Sequence, residues 1–476
     1  MNRSELLASL ASCVGERHVL HTPADLAAYT EDWRRKYRGK AAAVVSPGST
    51  AEVAAVLRLV SAHRLPVVTQ GGNTGMSGGA TPDGSGTQIV LSTRRLNRIR
   101  RVDALNDTIE VEAGVVLEAV QVAASEVGRL FPLALAAQGS CTIGGNLATN
   151  AGGTAVLRYG NARDLTLGLE VVTPDGRIWN GLRGLRKDNT GYDLKQLYIG
   201  SEGTLGVITA AVLKLFPPPT ARRTALLALP SVAHAVDLLC RARAELGPAL
   251  TAFEVISAAC VPLLKRHFSA MRWPFDAPVP VVALVEMSDH ESEAHARDVL
   301  ESVLAQALES GIATDGVVGE SVAQSRALWA LREHLSEAQA LEGAHIKHDI
   351  SVPISGVAAF VEAAQAQVQR DFPGVRAAWF GHLGDGNLHF NLLAPEGTDP
   401  ALFCAQQEVV NRAVHDLVHA FGGSISAEHG LGQLRRDENA RYKEGVELAL
   451  MQSLKQALDP LGLMNPDKVL RAVPVG

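Results

Sequence analysis

Apolar positions along this chain switch between two periods, and the switches outline a mixed fold. Val44-Val45 forms a short extended run. Ser49 and Glu52 have the spacing of a capping box at a helix start, and Val53, Val56, Leu57 and Val60 then recur at helical intervals. Pro66-Val67-Val68 resumes extended structure, so residues 44–68 predict a β-α-β unit. Further strands are predicted at 88–91, 108–111, 169–173 (ahead of the turn Pro174-Asp175-Gly176) and 212–216. Three successive prolines, Pro217-Pro218-Pro219, predict a boundary. Beyond it, a strand at 224–229, a helix near 231–246 and an extended run at 278–287 predict an α+β module with an antiparallel sheet. The stretch 401–476 reads as mostly helical and contains the turn-like pair Asn465-Pro466. The expected division is therefore 1–218, 219–400 and 401–476, in a chain of class α+β.

Length and composition sharpen this picture. A chain of 476 residues is too long for one ordinary core. With 47% hydrophobic and 20% charged residues it has the composition of a globular enzyme. The net charge of -6 argues against a nucleic-acid partner, and short basic pieces such as Arg34-Arg35-Lys36 read as solvated surface. Cys13, Cys141, Cys240, Cys260 and Cys404 are scattered and odd in number, a pattern of reduced thiols that predicts a cytoplasmic location. No secretory leader is expected, because Glu5, Glu16 and Arg17 interrupt the first apolar residues, and no run of apolar residues is long enough to span a membrane.

Two glycine-rich segments carry the first chemical signal. Gly71-Gly72-Asn73-Thr74-Gly75-Met76-Ser77-Gly78-Gly79 follows a predicted strand directly. Backbone without Cβ atoms can close around a phosphate, and Asn, Thr and Ser add hydrogen bonds. No periodic helix follows, so this is not a Rossmann fingerprint, and no Gly-Lys-Ser/Thr of an ATP loop is present. The second segment runs from Gly139-Ser140-Cys141-Thr142-Ile143-Gly144-Gly145-Asn146-Leu147-Ala148 to Gly153 and carries no charge. Such small residues suit backbone packed against a large flat ring.

A second signal lies at Gly381-His382-Leu383-Gly384-Asp385-Gly386-Asn387-Leu388-His389-Phe390-Asn391. Asp385-Gly386 has the chemistry of a two-residue hairpin turn, which would set His382 opposite His389 with Asn391 on the same face. Two imidazoles so placed can chelate a divalent ion. Glu428-His429, within Ser426-Ala427-Glu428-His429-Gly430, offers a third ligand with a base beside it or, equally, an exposed polar pair. Arg332 and Ser336 stand four apart on a predicted helix, with Lys347 shortly after; Arg can bind a carboxylate with both arms and Lys supplies a point charge.

Taken together with Arg186-Lys187-Asp188-Asn189-Thr190-Gly191-Tyr192-Asp193 and Gly200-Ser201-Glu202-Gly203-Thr204-Leu205-Gly206, these motifs resemble the FAD-binding family typified by vanillyl-alcohol oxidase. They are similar in particular to its branch of D-2-hydroxyglutarate and D-lactate dehydrogenases. The resemblance implies a two-subdomain FAD-binding domain of the PCMH type, an antiparallel α+β substrate domain and a helical C-terminal segment that completes the active site. It implies non-covalent FAD, with the pyrophosphate on Gly71, Gly72, Asn73, Thr74, Gly75, Ser77 and Gly78. The rest of the cofactor would lie along Gly139, Ser140, Thr142, Gly144, Gly145, Asn146, Ala148, Glu202, Gly203, Gly206, Ile208 and Asn465. Thr142 stands where His is expected in relatives. The resemblance also implies His382, His389 and Glu428 as metal ligands, zinc first, and His429 as base. Arg332, Ser336, Lys347 and Asn391 would meet the substrate, with Ser336 where Thr is expected.

In the implied reaction His429 takes the 2-hydroxyl proton while a hydride passes to flavin N5, and Arg332 and Lys347 hold carboxylate charge. Two cationic anchors suit a dicarboxylate, so D-2-hydroxyglutarate is the first expected substrate and D-malate the second. The acceptor would be external, an electron-transfer flavoprotein or a quinone carrier, and the assembly a homodimer. Rival readings are a D-lactate dehydrogenase, a flavin oxidase of the same fold, a metallohydrolase using the His/His/Glu set, and a non-catalytic flavin-binding subunit.

Overall fold

The computed structural model describes residues 2–471, arranged in two compact units. The first takes the chain up to Gly153, then Gly160–Pro217, then the chain from Glu428 onward; the second takes Thr154–Tyr159 and Pro218–Ala427. The handover falls within Pro217-Pro218-Pro219, where a run of residues without N–H groups can continue neither sheet nor helix. The segment expected at 401–476 does not stay whole. Residues 401–427 belong to the second unit, and from Glu428 the chain returns to the first. Main-chain bonds draw it back, Val67 N to Leu463 O at 2.8 Å and Asn465 N to Val67 O at 2.8 Å.

The first unit holds two sheets. In one, Ala43–Val45, Ile89–Ser92 and Val67–Gln70 run parallel in that spatial order, with Val19–Leu20 antiparallel outside Ala43–Val45. The β-α-β unit is present, but Ile89–Ser92 is inserted between its two strands. Its helix, Thr50–Ala62, buries Val53, Val56, Leu57 and Val60 against Ile89 and Leu91 in one core. The capping box is only half formed. Ser49 accepts from Glu52 N at 3.2 Å, whereas the Glu52 carboxylate reaches back to Gly48 N at 2.7 Å rather than to Ser49 N. The other sheet is antiparallel, in the order Ile99–Asp103, Thr108–Glu112, Val207–Lys214, Thr166–Val172, Ile178–Gly181.

Two buried carboxylates stitch that antiparallel sheet. Arg100 donates to Glu112 at 3.3 Å and to Glu170 at 3.0 Å, while Thr50 and Thr209 donate to Glu170 at 2.6 and 2.9 Å. Burial alone would raise both carboxyls. Hydrogen bonds from Arg98 to Glu112, and from Thr50 and Arg100 to Glu170, hold both below the ordinary carboxylate range instead.

The second unit is one eight-stranded sheet with antiparallel neighbours throughout. Its centre is Ala221–Leu229, Val281–Asp289, Leu250–Ser257, Arg376–Gly381 and Asn387–Leu393, in that spatial order. Leu250–Ser257 is buried along its whole length, which its apolar run predicts for a central strand, except that the run includes Glu254. Among the described residues no helix is long and apolar enough to cross a membrane.

Candidate active site

In the first unit, the strand Val67–Gln70 runs straight into the first glycine-rich loop, beside the end of its parallel neighbour Ile89–Ser92. Ligands of open α/β sheets gather outside such carboxyl ends, and a pocket opens there. Its walls are Gly71 to Gly75 and Ser77, then Thr142, Gly144, Gly145, Asn146 and Ala148, then Glu202, Gly203, Gly206 and Ile208, with Asn465 and His429. The two glycine-rich segments touch backbone to backbone: a Cβ on Gly72 would stand 2.3 Å from Ser140 O. Only glycine permits that approach.

Three expected cofactor residues do not line the pocket. Gly78 turns toward Tyr37 and Gln433, Gly139 lies toward Glu118, and Ser140 donates its hydroxyl to Ala137 O at 3.3 Å. Conversely, Thr69, Ala80, Thr93 and Ser201 line it from outside the two glycine-rich segments, and Gly79, Cys141 and Thr149 line it from within them. Thr69 and Thr93 sit at the carboxyl ends of two adjacent parallel strands, and that position was the available signal.

The residues present fit a dinucleotide. Thr69 Oγ1, Thr142 Oγ1 and Asn146 Oδ1 are buried in this wall with no protein partner, so polar valence is left for a ligand. The remaining polar side chains fasten the wall itself. Asn465 accepts from Thr69 N at 2.9 Å and donates to Glu202 O at 2.9 Å. Glu202, at φ 52°, turns its carboxylate to the amides of Leu431 and Gly432 at 2.7 and 2.8 Å, while burial pushes its carboxyl upward. Ser77 Oγ lies 3.1 Å from the carbonyls of both His429 and Gly430, so the glycine loop and the His429 segment are tied together. Glu428 accepts from Gly153 N at 2.9 Å.

The second unit carries a charged centre. The two-residue hairpin expected at Asp385-Gly386 is not formed. Arg376–Gly381 pairs with Asn387–Leu393 so that Phe380, not His382, faces His389, and Ala378 faces Asn391. Leu383–Asp385 instead curls into a 3₁₀ turn with Leu383 fully buried, and Gly386 closes it at φ 81°, where a Cβ would meet Val352 O at 2.3 Å. Burying Leu383 favours the longer turn. The imidazoles of His382 and His389 nevertheless lie edge to face with centroids 5.6 Å apart.

Arg332 and Ser336 do not share one uninterrupted helix. Val322–Glu333 ends, His334 bonds its own side chain to Ala330 O, and Leu335–Glu342 begins. Arg332 is buried and Ser336 exposed. Lys347 is half-buried between the short strands His345–Ile346 and Asp349–Ser351. Asn391 is almost fully buried, accepting from His348 N at 3.1 Å and donating to Gln339 at 2.7 Å, so its amide serves the fold.

Glu254 organises this centre, and sequence reasoning missed it. One oxygen lies 2.6 Å from His382 Nδ1 and the other 2.7 Å from Arg332 Nε. Burial would raise its carboxyl, but the charges and hydrogen bonds of His382 and Arg332 hold it down at about 2. The Arg332 guanidinium also lies 4.6 Å over the Phe380 ring. Among the described residues its terminal Nη nitrogens make no hydrogen bond, which leaves the outer edge of the fork for a ligand carboxylate. Asp349 Oδ1 stands 3.9 Å from His389 Nδ1.

Family comparisons agree with this architecture. "FAD linked oxidases, C-terminal domain" matches residues 218–469, and "FAD binding domain" matches 41–181. The chain belongs to the family of FAD-linked oxidases and binds FAD as its cofactor. A D-2-hydroxyglutarate dehydrogenase of Xanthomonas citri pv. viticola is 40% identical over 461 residues, covering 97% of this chain and 96% of that protein. The mitochondrial D-2-hydroxyglutarate dehydrogenase of Bos taurus is 41% identical over 98% of this chain and 83% of its own length. Within the family, therefore, the chain falls among the FAD-dependent D-2-hydroxy-acid dehydrogenases. A solved structure of p-cresol methylhydroxylase with substrate bound superposes with a TM-score of 0.77 over 98% of this chain and 97% of its own, at 15% identity. That likeness establishes the shared fold.

Proposed function

We propose that this enzyme oxidises D-2-hydroxyglutarate, and D-malate less well, to the 2-oxo acid, and hands the electrons to an external acceptor such as an electron-transfer flavoprotein or a quinone carrier. The observation that carries the reading is Arg332. Its guanidinium is buried, fixed on one edge by Glu254 and on its face by Phe380, with the outer edge unspent. A dicarboxylate gives such a fork a partner that a monocarboxylate lacks, and Lys347 supplies a second positive charge. The names of the curated relatives point to the same substrate.

When bound, FAD supplies the hydride acceptor. The chain's part is to hold that cofactor between its two glycine-rich segments and to keep His429 beside them, tethered through Ser77. His429 is proposed as the base that takes the 2-hydroxyl proton. A divalent ion, zinc first, is proposed on His382, His389 and Glu428, a two-imidazole and one-carboxylate donor set that zinc accepts. When bound, such an ion would acidify the 2-hydroxyl as a Lewis acid. A cytoplasmic homodimer completes the proposal.

The test is anaerobic bleaching of the flavin absorbance by D- and L-2-hydroxyglutarate, D-malate and D-lactate, before and after chelation. Fast bleaching by the D-dicarboxylates, lost on chelation and restored by zinc, is expected. Bleaching by D-lactate alone would overturn the substrate, and bleaching indifferent to chelator would overturn the metal.

A further inference from the structure

We infer that Glu254 is the positioning residue that fixes the ligand nitrogen of His382 and the orientation of the Arg332 fork at once. The inference rests on the reading of His382 as a metal ligand and Arg332 as the carboxylate anchor.

The argument begins with an anomaly in a strand. Leu250–Ser257 is buried throughout, and Glu254 within it is 0% exposed. Burying a carboxylate is costly, and an apolar residue of similar volume would often stabilise as well or better. A sheet core alone gives no reason to keep a charge there. The register supplies one. Val255 pairs with Gly381 and Ile256 with Phe380, so the same antiparallel ladder, extended by one residue, brings Glu254 alongside His382.

Each carboxylate oxygen then has one task. Oε1, 2.6 Å from His382 Nδ1, accepts the proton there and so directs Nε2, rather than Nδ1, to any metal. Oε2, 2.7 Å from Arg332 Nε, stops the guanidinium from rotating, and the Phe380 ring at 4.6 Å fixes its plane. The rigid span of one carboxyl group therefore sets the spacing between an imidazole and a guanidinium. Asp349 lies 3.9 Å from His389 Nδ1 and also accepts from Asn387 Nδ2 at 3.1 Å.

Glu254→Gln separates this role from a merely structural one. Glutamine keeps the shape, and its carbonyl can still accept from Arg332. Its amide, however, donates toward His382, so the imidazole must accept at Nδ1 and carry its proton on Nε2. The experiment strips metal from the FAD-loaded protein and titrates Zn²⁺ against a metallochromic chelator. It runs on wild type, Glu254→Gln and Glu254→Asp, with flavin content and the melting curve measured on the same samples. Loss of such an orienting partner typically weakens metal binding by about 10–100-fold. That loss is expected for Glu254→Gln, with flavin content unchanged and KM for D-2-hydroxyglutarate raised. Glu254→Asp, which keeps the charge on a shorter arm, is expected to recover part of the zinc affinity. Zinc affinity in Glu254→Gln within twofold of wild type would overturn the inference while leaving the metal reading intact. A wild type that holds no zinc and still bleaches its flavin with substrate would overturn both. Equal weakening in both variants, together with loss of a cooperative melt, would make Glu254 a structural residue only.

Discussion

On the proposed reading, the two units hold their ligands with opposite materials. The first uses backbone. Its pocket is walled by glycine, alanine, threonine and asparagine, and Ser77, Glu202 and Asn465 spend their polar groups fastening one wall segment to another. The second uses charge. Arg332, Glu254, His382, His389 and Asp349 converge on a sheet otherwise filled with Leu, Val and Phe. A broad cofactor is gripped by shape and many weak contacts, whereas a small anion needs a few charges at fixed spacing. The buried carboxylates Glu112 and Glu170 of the first unit serve the sheet and lie outside the pocket wall.

That contrast can be broken experimentally, and the largest effect should come from His429→Ala. Removing a general base typically costs on the order of 10²–10⁴ in rate. We expect stopped-flow flavin reduction to slow by about that factor with the yellow colour retained; near-normal rates would remove His429 from the reaction.

The next effect belongs to the backbone side. In Gly72→Val the added Cβ would meet Ser140 O at 2.3 Å. Overpacking of this kind costs about 1–3 kcal/mol, or roughly fivefold to 150-fold in affinity. Flavin content after dialysis should fall accordingly, while zinc binding measured with the same chelator should hold. Loss of both together would show that the two sites are not separable.

Acid should act on the first unit through Glu112 and Glu170. Both have folded-state pKa values below the ordinary 4.5. Their stabilisation is therefore fully present above that value and drains away as pH falls below it through the folded-state values. Melting temperatures from pH 7 to pH 3 should stay level and then drop, and Glu112→Gln should start lower and drop less. A variant curve parallel to wild type would assign the acid sensitivity elsewhere.

The smallest effect is expected from Ser336→Thr, which restores one methyl on an exposed side chain. A buried methyl is worth about 0.8 kcal/mol, close to fourfold. The ratio of kcat/KM for D-2-hydroxyglutarate to that for D-malate should move by no more than this. A larger shift would place Ser336 in direct charge of chain length.

What could be read from the sequence follows the same contrast. The glycine-rich segments are contiguous, so composition alone marks them, and most of the residues named from them line one pocket. The β-α-β unit and the proline boundary were local signals too. The hairpin at Asp385-Gly386 was misread because turn chemistry favoured two residues while burial of Leu383 favoured a longer turn. The helix through Arg332 was drawn too long because the competing His334 side chain carries no sequence signature. Glu254 was out of reach: it meets His382 across 128 residues and Arg332 across 78, and only a strand register brings them together.

The bond between Thr69 N and the side chain of Asn465 spans 396 residues of chain. Ribosomes deliver a polypeptide from its amino end at about 5–20 residues per second, so Thr69 emerges roughly 20–80 s before its partner exists. During that interval the strand Val67–Gln70 is an uncovered sheet edge, an invitation to pair with a neighbouring nascent chain. The pocket wall that includes Asn465 is accordingly closed only after the chain through residue 465 has been made.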